Sequence, residues 1–360
     1  MNPPPKSRKG RGAISNPQGR FESRRVAAVD DGWTMGSATE PPPLETTITA
    51  EHAKSVISRN DSPDIPFEQS INPYRGCGHG CVYCYARPAH SYVNLSPGLD
   101  FETKLFYKKN ATQLLREELN RSSYVCRAIT LGANTDPYQP IERDLKVTRS
   151  ILEVLQEFRH PVSIITKSHL IERDIDILAA MARDNLAAVH VSVTTLDAGL
   201  KRILEPRAPA AAARLHAIRS LNAAGVPVGA LVAPVIPAIN DHEIEHILAA
   251  VAQAGARTAG YVMLRLPYEV KDLFREWLAE HHPLRAAHVM SLVNDLRGGR
   301  DNDPNFGSRM RGTGPLAEVV RRRFEVACRR LNLNTLRRMP LDTQRFRPLT
   351  PSAPQLDLGF

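Results

Sequence analysis

From about residue 127 the chain alternates short β-branched runs with amphipathic stretches, and this alternation limits its fold more than any other feature. The runs are Ala128–Leu131, Val162–Thr166, Val189–Val193, Val228–Val232 and Tyr261–Leu264. Between them lies 145–158, with Val147, Ile151, Val154 and Leu155 on one helical face, and then 171–184, 210–224 and 241–254. Strands that are apolar throughout, alternating with helices, require a parallel sheet covered on both sides. A further strand near Glu68–Asn72 brings the count to six βα units, too few for an eight-fold barrel. The sequence therefore predicts an α/β fold over 46–284, an open or partial (β/α)6 barrel, with its chemistry in either case at the C-terminal ends of the strands. Residues 285–360 read as a C-terminal helical and loop extension. It comprises a loop over 298–314 and a helix over 315–331 with Leu316, Val319, Val320, Phe324, Ala327 and Leu331 on its apolar face. Residues 1–45 are rich in Pro, Gly, Ser and charge without periodicity, and are expected to form a flexible basic arm.

Length and composition narrow the class. At about 150 residues per domain, 360 residues allow two domains or one large α/β barrel. An apolar content of 42% excludes wholesale disorder. No run approaches the roughly 18 to 20 apolar residues of a membrane span, and residues 1–25 lack the apolar core of a secretory signal. Five cysteines, odd in number and sparse, fit a reducing cytoplasm better than a disulfide framework. The formal charge of +9 is uneven: residues 1–25 carry +6, residues 297–360 carry +7, and the body between carries −4. Basic ends of this kind serve either as solubilising tails or as a footprint for a polyanion such as nucleic acid.

Three of the cysteines, Cys77, Cys81 and Cys84, fall within eight residues just past the first strand. Glycines at 76, 78 and 80 let that loop wrap closely around a compact group. Thiolate-rich sets select iron–sulfur clusters or zinc. A [4Fe–4S] cluster on three cysteines keeps one iron open to an exogenous molecule. Zinc would need a fourth ligand, which His79 could supply. The second reading makes the chain a zinc-stabilised, non-enzymatic nucleic-acid-binding protein.

C-x3-C-x2-C after the first strand, followed by βα units, resembles the radical S-adenosylmethionine (SAM) enzymes over about residues 68–280. Within that superfamily the chain looks most like the spore photoproduct lyase-like branch and its bacterial relatives of unassigned substrate. The stretches that carry the likeness are Gly80–Tyr85, Thr135-Asp136, Ile165–Ser168, Ser192, Leu204–Pro206 and Val232–Val235. The resemblance implies a partial barrel of the radical SAM type with a [4Fe–4S] cluster on Cys77, Cys81 and Cys84. Its open iron would chelate SAM, and reductive cleavage would give a 5′-deoxyadenosyl radical that abstracts hydrogen from a substrate. An electron donor such as flavodoxin or ferredoxin is implied as a partner, and nucleic acid at the basic termini is consistent with the lyase likeness.

The resemblance also assigns roles, each beside a plainer one. Lys167, at the third strand's end, would contact the SAM carboxylate, or be a solvated rim lysine. Ser192 would meet a SAM hydroxyl or carboxylate, or be a satisfied core hydroxyl. Thr135 and Asp136 would lie at the SAM amino group, although turn chemistry alone accounts for Asn134 and Asp136. Tyr83 and Tyr85, bracketing Cys84, would transfer a radical or pack against the cluster. Glu205 and Arg207 sit in a loop stiffened by two prolines, which aims a charged pair at the cofactor or holds a simple ion pair. Arg265, on the rim, could face an anionic substrate. One departure stands out. The photoproduct lyases donate hydrogen from a cysteine at the end of the second strand, where this chain has Ala133 or Asn134. Cys126 precedes that strand, and Cys328 lies on the apolar face of the last helix, so neither matches the donor.

Overall fold

Each β-branched run pairs with the one before it. In the computed structural model, which describes residues 7–21, 44–335 and 340–349, six strands lie side by side in chain order: β1 (Gln69–Ile71), β2 (Ile129–Leu131), β3 (Val162–Thr166), β4 (Ala187–Ser192), β5 (Val228–Val235) and β6 (Thr258–Met263). Every neighbouring pair is parallel, with Ser70 opposite Thr130 and Thr130 opposite Ser163. A seventh strand, Ile57–Arg59, runs antiparallel outside β1. The sheet is open, with β6 and Ile57–Arg59 as its edges.

The longest helix of each crossover covers the sheet: α1 (Ala111–Leu119), α2 (Val147–Glu157), α3 (Ile175–Arg183), α4 (Ala211–Ala223) and α5 (Ile244–Gln253). The predicted face of α2 is the buried one, with Ile151, Val154 and Leu155 in the core. They pack with Leu131, Ile164, Val189, Val191 and Ala230 from the strands. Each large aliphatic side chain so buried contributes about 1.5–3 kcal/mol, which is why the apolar periodicity dictates the layers.

Helices α6 (Val270–His281), α7 (Ala286–Leu296) and α8 (Gly314–Arg330) complete the described chain. Helix α8 joins the main core through Val320, Phe324, Ala327 and Cys328, and Phe324 meets Tyr261 of β6 with ring centroids 4.7 Å apart. Val319, expected on that face, is instead 51% exposed. A small separate sheet pairs Thr47–Glu51 parallel to Lys104–Lys108, with Tyr74–Arg75 antiparallel on its other side.

The basic ends behave differently from the expectation. Residues 7–21 do not form a free arm: Ala13 and Ile14 are buried, and Ser15 donates to Glu276 at 2.6 Å. Backbone hydrogen bonding to the body outweighs the low apolar content that suggested mobility. The rest of the predicted arm, 1–6 and 22–43, lies outside the described residues. In the C-terminal region, Arg309, Arg321, Arg322, Arg323 and Arg345 all pair with carboxylates, which offsets much of the local positive charge. Among the described residues no helix is long and apolar enough to cross a membrane.

Candidate functional site

The cysteine loop leaves the C-terminal side of β1 and returns under the ends of the other strands. Cys77 and Cys81 are buried, Cys84 is half-buried, and all three thiols are free. Burial pushes the Cys81 thiol well above its ordinary value, Glu205 adds to that and Lys167 opposes it. Burial, then Cys77, raises Cys84 to about 11. Three thiols close enough to perturb one another are a donor set that suits a cluster carrying their negative charge. Among the described residues no three His, Cys, Asp or Glu side chains converge on a single ion's position.

His79 engages one of its two ring nitrogens. It is buried, and its Nδ1 pairs with Asp136 at 3.4 Å. Burial alone would lower its pKa, but Asp136 and then Cys77 raise it to about 9. Asp136 in turn accepts from the backbone N–H groups of Tyr138 and Lys167 and from the Thr166 hydroxyl, at 2.7–2.9 Å. Burial opposes its ionisation, and His79 with these donors still holds it below the usual carboxylate range. Both oxygens are committed to protein donors, and the side chain fastens the β2 and β3 ends to the cysteine loop.

Replacing Asp136 with Asn should expose that coupling. With the charge gone, burial dominates and His79 should titrate below 6.5 instead of near 9, as read by NMR of its ring. Because the folded-state value is raised, the pair's stabilisation is complete below about pH 6.5 and is lost as pH rises through about 9. An unchanged His79 titration in the variant would refute the assignment.

Glu205 is the hub of a second buried network. It is fully buried, and its carboxylate accepts from the Tyr83 hydroxyl and from Arg214, with Thr194 Oγ1 at 2.7 Å and Lys167 Nζ at 3.4 Å. Arg214 extends the network to the carbonyls of Ser192 and Pro209 at 3.0 and 2.9 Å. Burial would push the Glu205 carboxyl up, but Arg214 and Lys167 hold it far below its usual range. Two cations surround one carboxylate, leaving a net positive charge. Lys167 carries it toward the loop, with Nζ 5.7 Å from the Tyr83 ring centroid and 3.4 Å from the Ala233 carbonyl.

The remaining candidates divide. Lys167, Tyr83, Glu205 and Thr194 meet directly, and Ser192 joins them through Arg214. Thr135 is buried and donates to the Tyr74 carbonyl at 2.9 Å, beside the loop. Arg207 does not pair with Glu205: it points outward and reaches Thr46 at 3.5 Å, because Arg214 fills the carboxylate's other side. Tyr85 is 47% exposed and donates to the Ala133 carbonyl, with Arg265 5.8 Å from its ring centroid. Cys126 sits three residues before β2, at the opposite end of the sheet, and Cys328 is a core thiol. Arg214 and Thr194 escaped the sequence reading. The signal for Arg214 was an arginine in line with Ala217, Ile218 and Leu221, the buried face of α4.

Three free thiols on one loop, beneath a cation at the C-terminal ends of six parallel strands, make a candidate cofactor site in a βα scaffold. The family model of the Radical SAM superfamily matches residues 71–251, and the chain belongs to that superfamily. An uncharacterized protein of Mycobacterium tuberculosis is 38% identical over 221 residues, 61% of this chain and 65% of its own length. An uncharacterized protein of Methanocaldococcus jannaschii is 28% identical over 231 residues, 64% of this chain and 82% of its own. The chain thus spans just under two thirds of the mycobacterial relative. A solved spore photoproduct lyase complexed with dinucleoside spore photoproduct shares the fold, with a TM-score of 0.58, 14% identity and 79% of each chain covered.

Proposed function

We propose that the chain is a radical SAM enzyme, a partial (β/α)6 barrel in which Cys77, Cys81 and Cys84 hold a [4Fe–4S] cluster. The observation that carries this reading is the set of three clustered free thiols inside the stretch that the Radical SAM family model matches. Such a cluster, reduced by a donor such as flavodoxin or ferredoxin, supplies the electron that cleaves SAM and yields a hydrogen-abstracting 5′-deoxyadenosyl radical. Lys167 orients the SAM carboxylate, while Glu205 and Arg214 fix that lysine from below and leave it a net positive charge to offer. Thr135 and Ser192 line the same strand ends. Tyr85 faces the substrate side, and buried Tyr83 braces Glu205.

Nucleic acid is the substrate class we favour. Exposed Tyr92, on the segment after Cys84, Tyr268, on the one after β6, and Phe21 gather around Arg20, whose guanidinium lies 3.7 Å from the Tyr268 ring centroid and pairs with Glu269 at 3.4 Å. Aromatic faces interleaved with arginine suit stacked bases of a single strand. Sparse cysteines, free among the described residues, fit a reducing cytoplasm.

Anaerobic reconstitution should give a brown protein with about four irons per chain, which releases 5′-deoxyadenosine from SAM when reduced with dithionite. Oligonucleotides should bind with an affinity that falls steeply as salt rises. A colourless protein holding one zinc overturns the enzyme reading. A brown, SAM-cleaving protein that ignores oligonucleotides at low salt overturns only the substrate class.

A further inference from the structure

Residues 11–17 cross the outer face of the cysteine loop as a strap. Between strap and loop lies Glu102, fully buried. Its oxygens accept from the backbone N–H groups of Gly12 at 3.0 Å and Ala13 at 2.8 Å, and the same carboxylate pairs with Arg87, also fully buried. Arg87 then donates to the Cys81 carbonyl at 2.9 Å. A buried carboxylate satisfied by two amides and a guanidinium is a strong, directional anchor, since each bond is charge-assisted and none competes with water. Contact between strap and loop is also direct. A Cβ on Gly12 would lie 1.7 Å from the Gly80 carbonyl oxygen, and one on Gly80 would lie 2.8 Å from Glu102. Arg11 holds the strap from behind, donating to the carbonyls of Glu102 at 3.2 Å and Leu44 at 2.7 Å. Further along, Leu99 N–H donates to Ser15, and the Ser96 hydroxyl to Pro17.

We propose that this strap is part of the cluster cradle: through Gly12, Glu102 and Arg87 it holds the Cys77–Cys84 loop in its ligating conformation and shields the loop's outer face from solvent. These are positioning residues, since none offers a ligand atom itself. The proposal rests on the radical SAM reading above and goes beyond it, because the family model begins at residue 71 and does not include the strap.

Two variants of the full chain test it. Gly12→Ala leaves no room for the strap against Gly80 while leaving every residue of the loop in place. Glu102→Gln keeps the size of the anchor and removes its charge. In the iron-free protein, both should speed hydrogen exchange of the 77–84 amides, and trypsin should cut faster after Arg20 in Gly12→Ala. After reconstitution, cluster retention should fall about 10- to 100-fold, the usual cost of losing outer support at a metal site, with faster bleaching in air. Chains that do load should show an altered EPR line shape of the reduced cluster. If Gly12→Ala fails to fold by circular dichroism, Glu102→Gln decides. A folded variant with wild-type exchange, iron content and bleaching rate overturns the proposal. A wild-type chain that takes up no iron overturns the reading beneath it instead.

Discussion

Replacing Glu205 with alanine is expected to cost about 3–5 kcal/mol of folding stability, the penalty for stranding one partner of a buried ion pair. Arg214 is almost completely enclosed, and its two other bonds go to neutral carbonyls, so its charge would have no counterion. Tyr83 would lose its acceptor, and Lys167 would lose the carboxylate 3.4 Å away. A denaturant titration should show the midpoint fall at nearly constant slope. The pH dependence supplies a second check. Because the folded-state carboxyl is held below its ordinary 4.5, its stabilisation is complete above that pH and is lost progressively as acid drives the pH from there down to the lower folded value. Stability between pH 5 and pH 3 should therefore fall less in Glu205→Ala than in the parent chain. A loss under about 1 kcal/mol would show that Arg214 finds another partner or water.

Cys81→Ala should abolish 5′-deoxyadenosine formation while leaving the fold almost untouched. The thiol contributes to no strand, and the Cys81 group that the fold uses is its carbonyl, bound by Arg87. Removing one sulfur from a mostly buried loop costs on the order of 1 kcal/mol, small beside the stability of a domain. Two thiolates remain where three are needed, so iron per chain should drop together with turnover. Cys126→Ala is the matching control, since Cys126 lies at the other end of the sheet and should leave both readings unchanged. Full iron and turnover in Cys81→Ala would remove this loop from the chemistry.

The strand order was legible because apolar runs record burial directly. Val162–Thr166 is the third strand to the residue, and helices 145–158, 210–224 and 241–254 differ from the observed ones by a few end residues. What escaped was held by backbone or polar pairing, which carries no periodicity. Residues 11–17 read as an arm because their anchors are amide bonds to Glu102, 89 and 90 residues away. The small sheet around Lys104–Lys108 is likewise built from short, half-polar strands. Helix α1 did carry a signal in Ala111, Leu115 and Leu119, but over only nine residues. At the site, the cysteine spacing was specific enough to locate the loop. The Glu205–Arg207 pairing was wrong because adjacency in sequence says nothing about which face of a loop a side chain takes, and Arg214 reached the carboxylate first.

The strap also orders events during synthesis. Ser7 and Ser15 bond to Glu280 and Glu276 on α6, residues made 273 and 261 positions later. At about 5–20 residues per second, these serines wait roughly 10–50 s for their partners on that helix. The strands need no such wait, since each docks on its immediate predecessor. The strap can thus meet Glu102 once about 90 further residues are made, and its bonds to α6 close last, so the loop's cover is laid early and locked late.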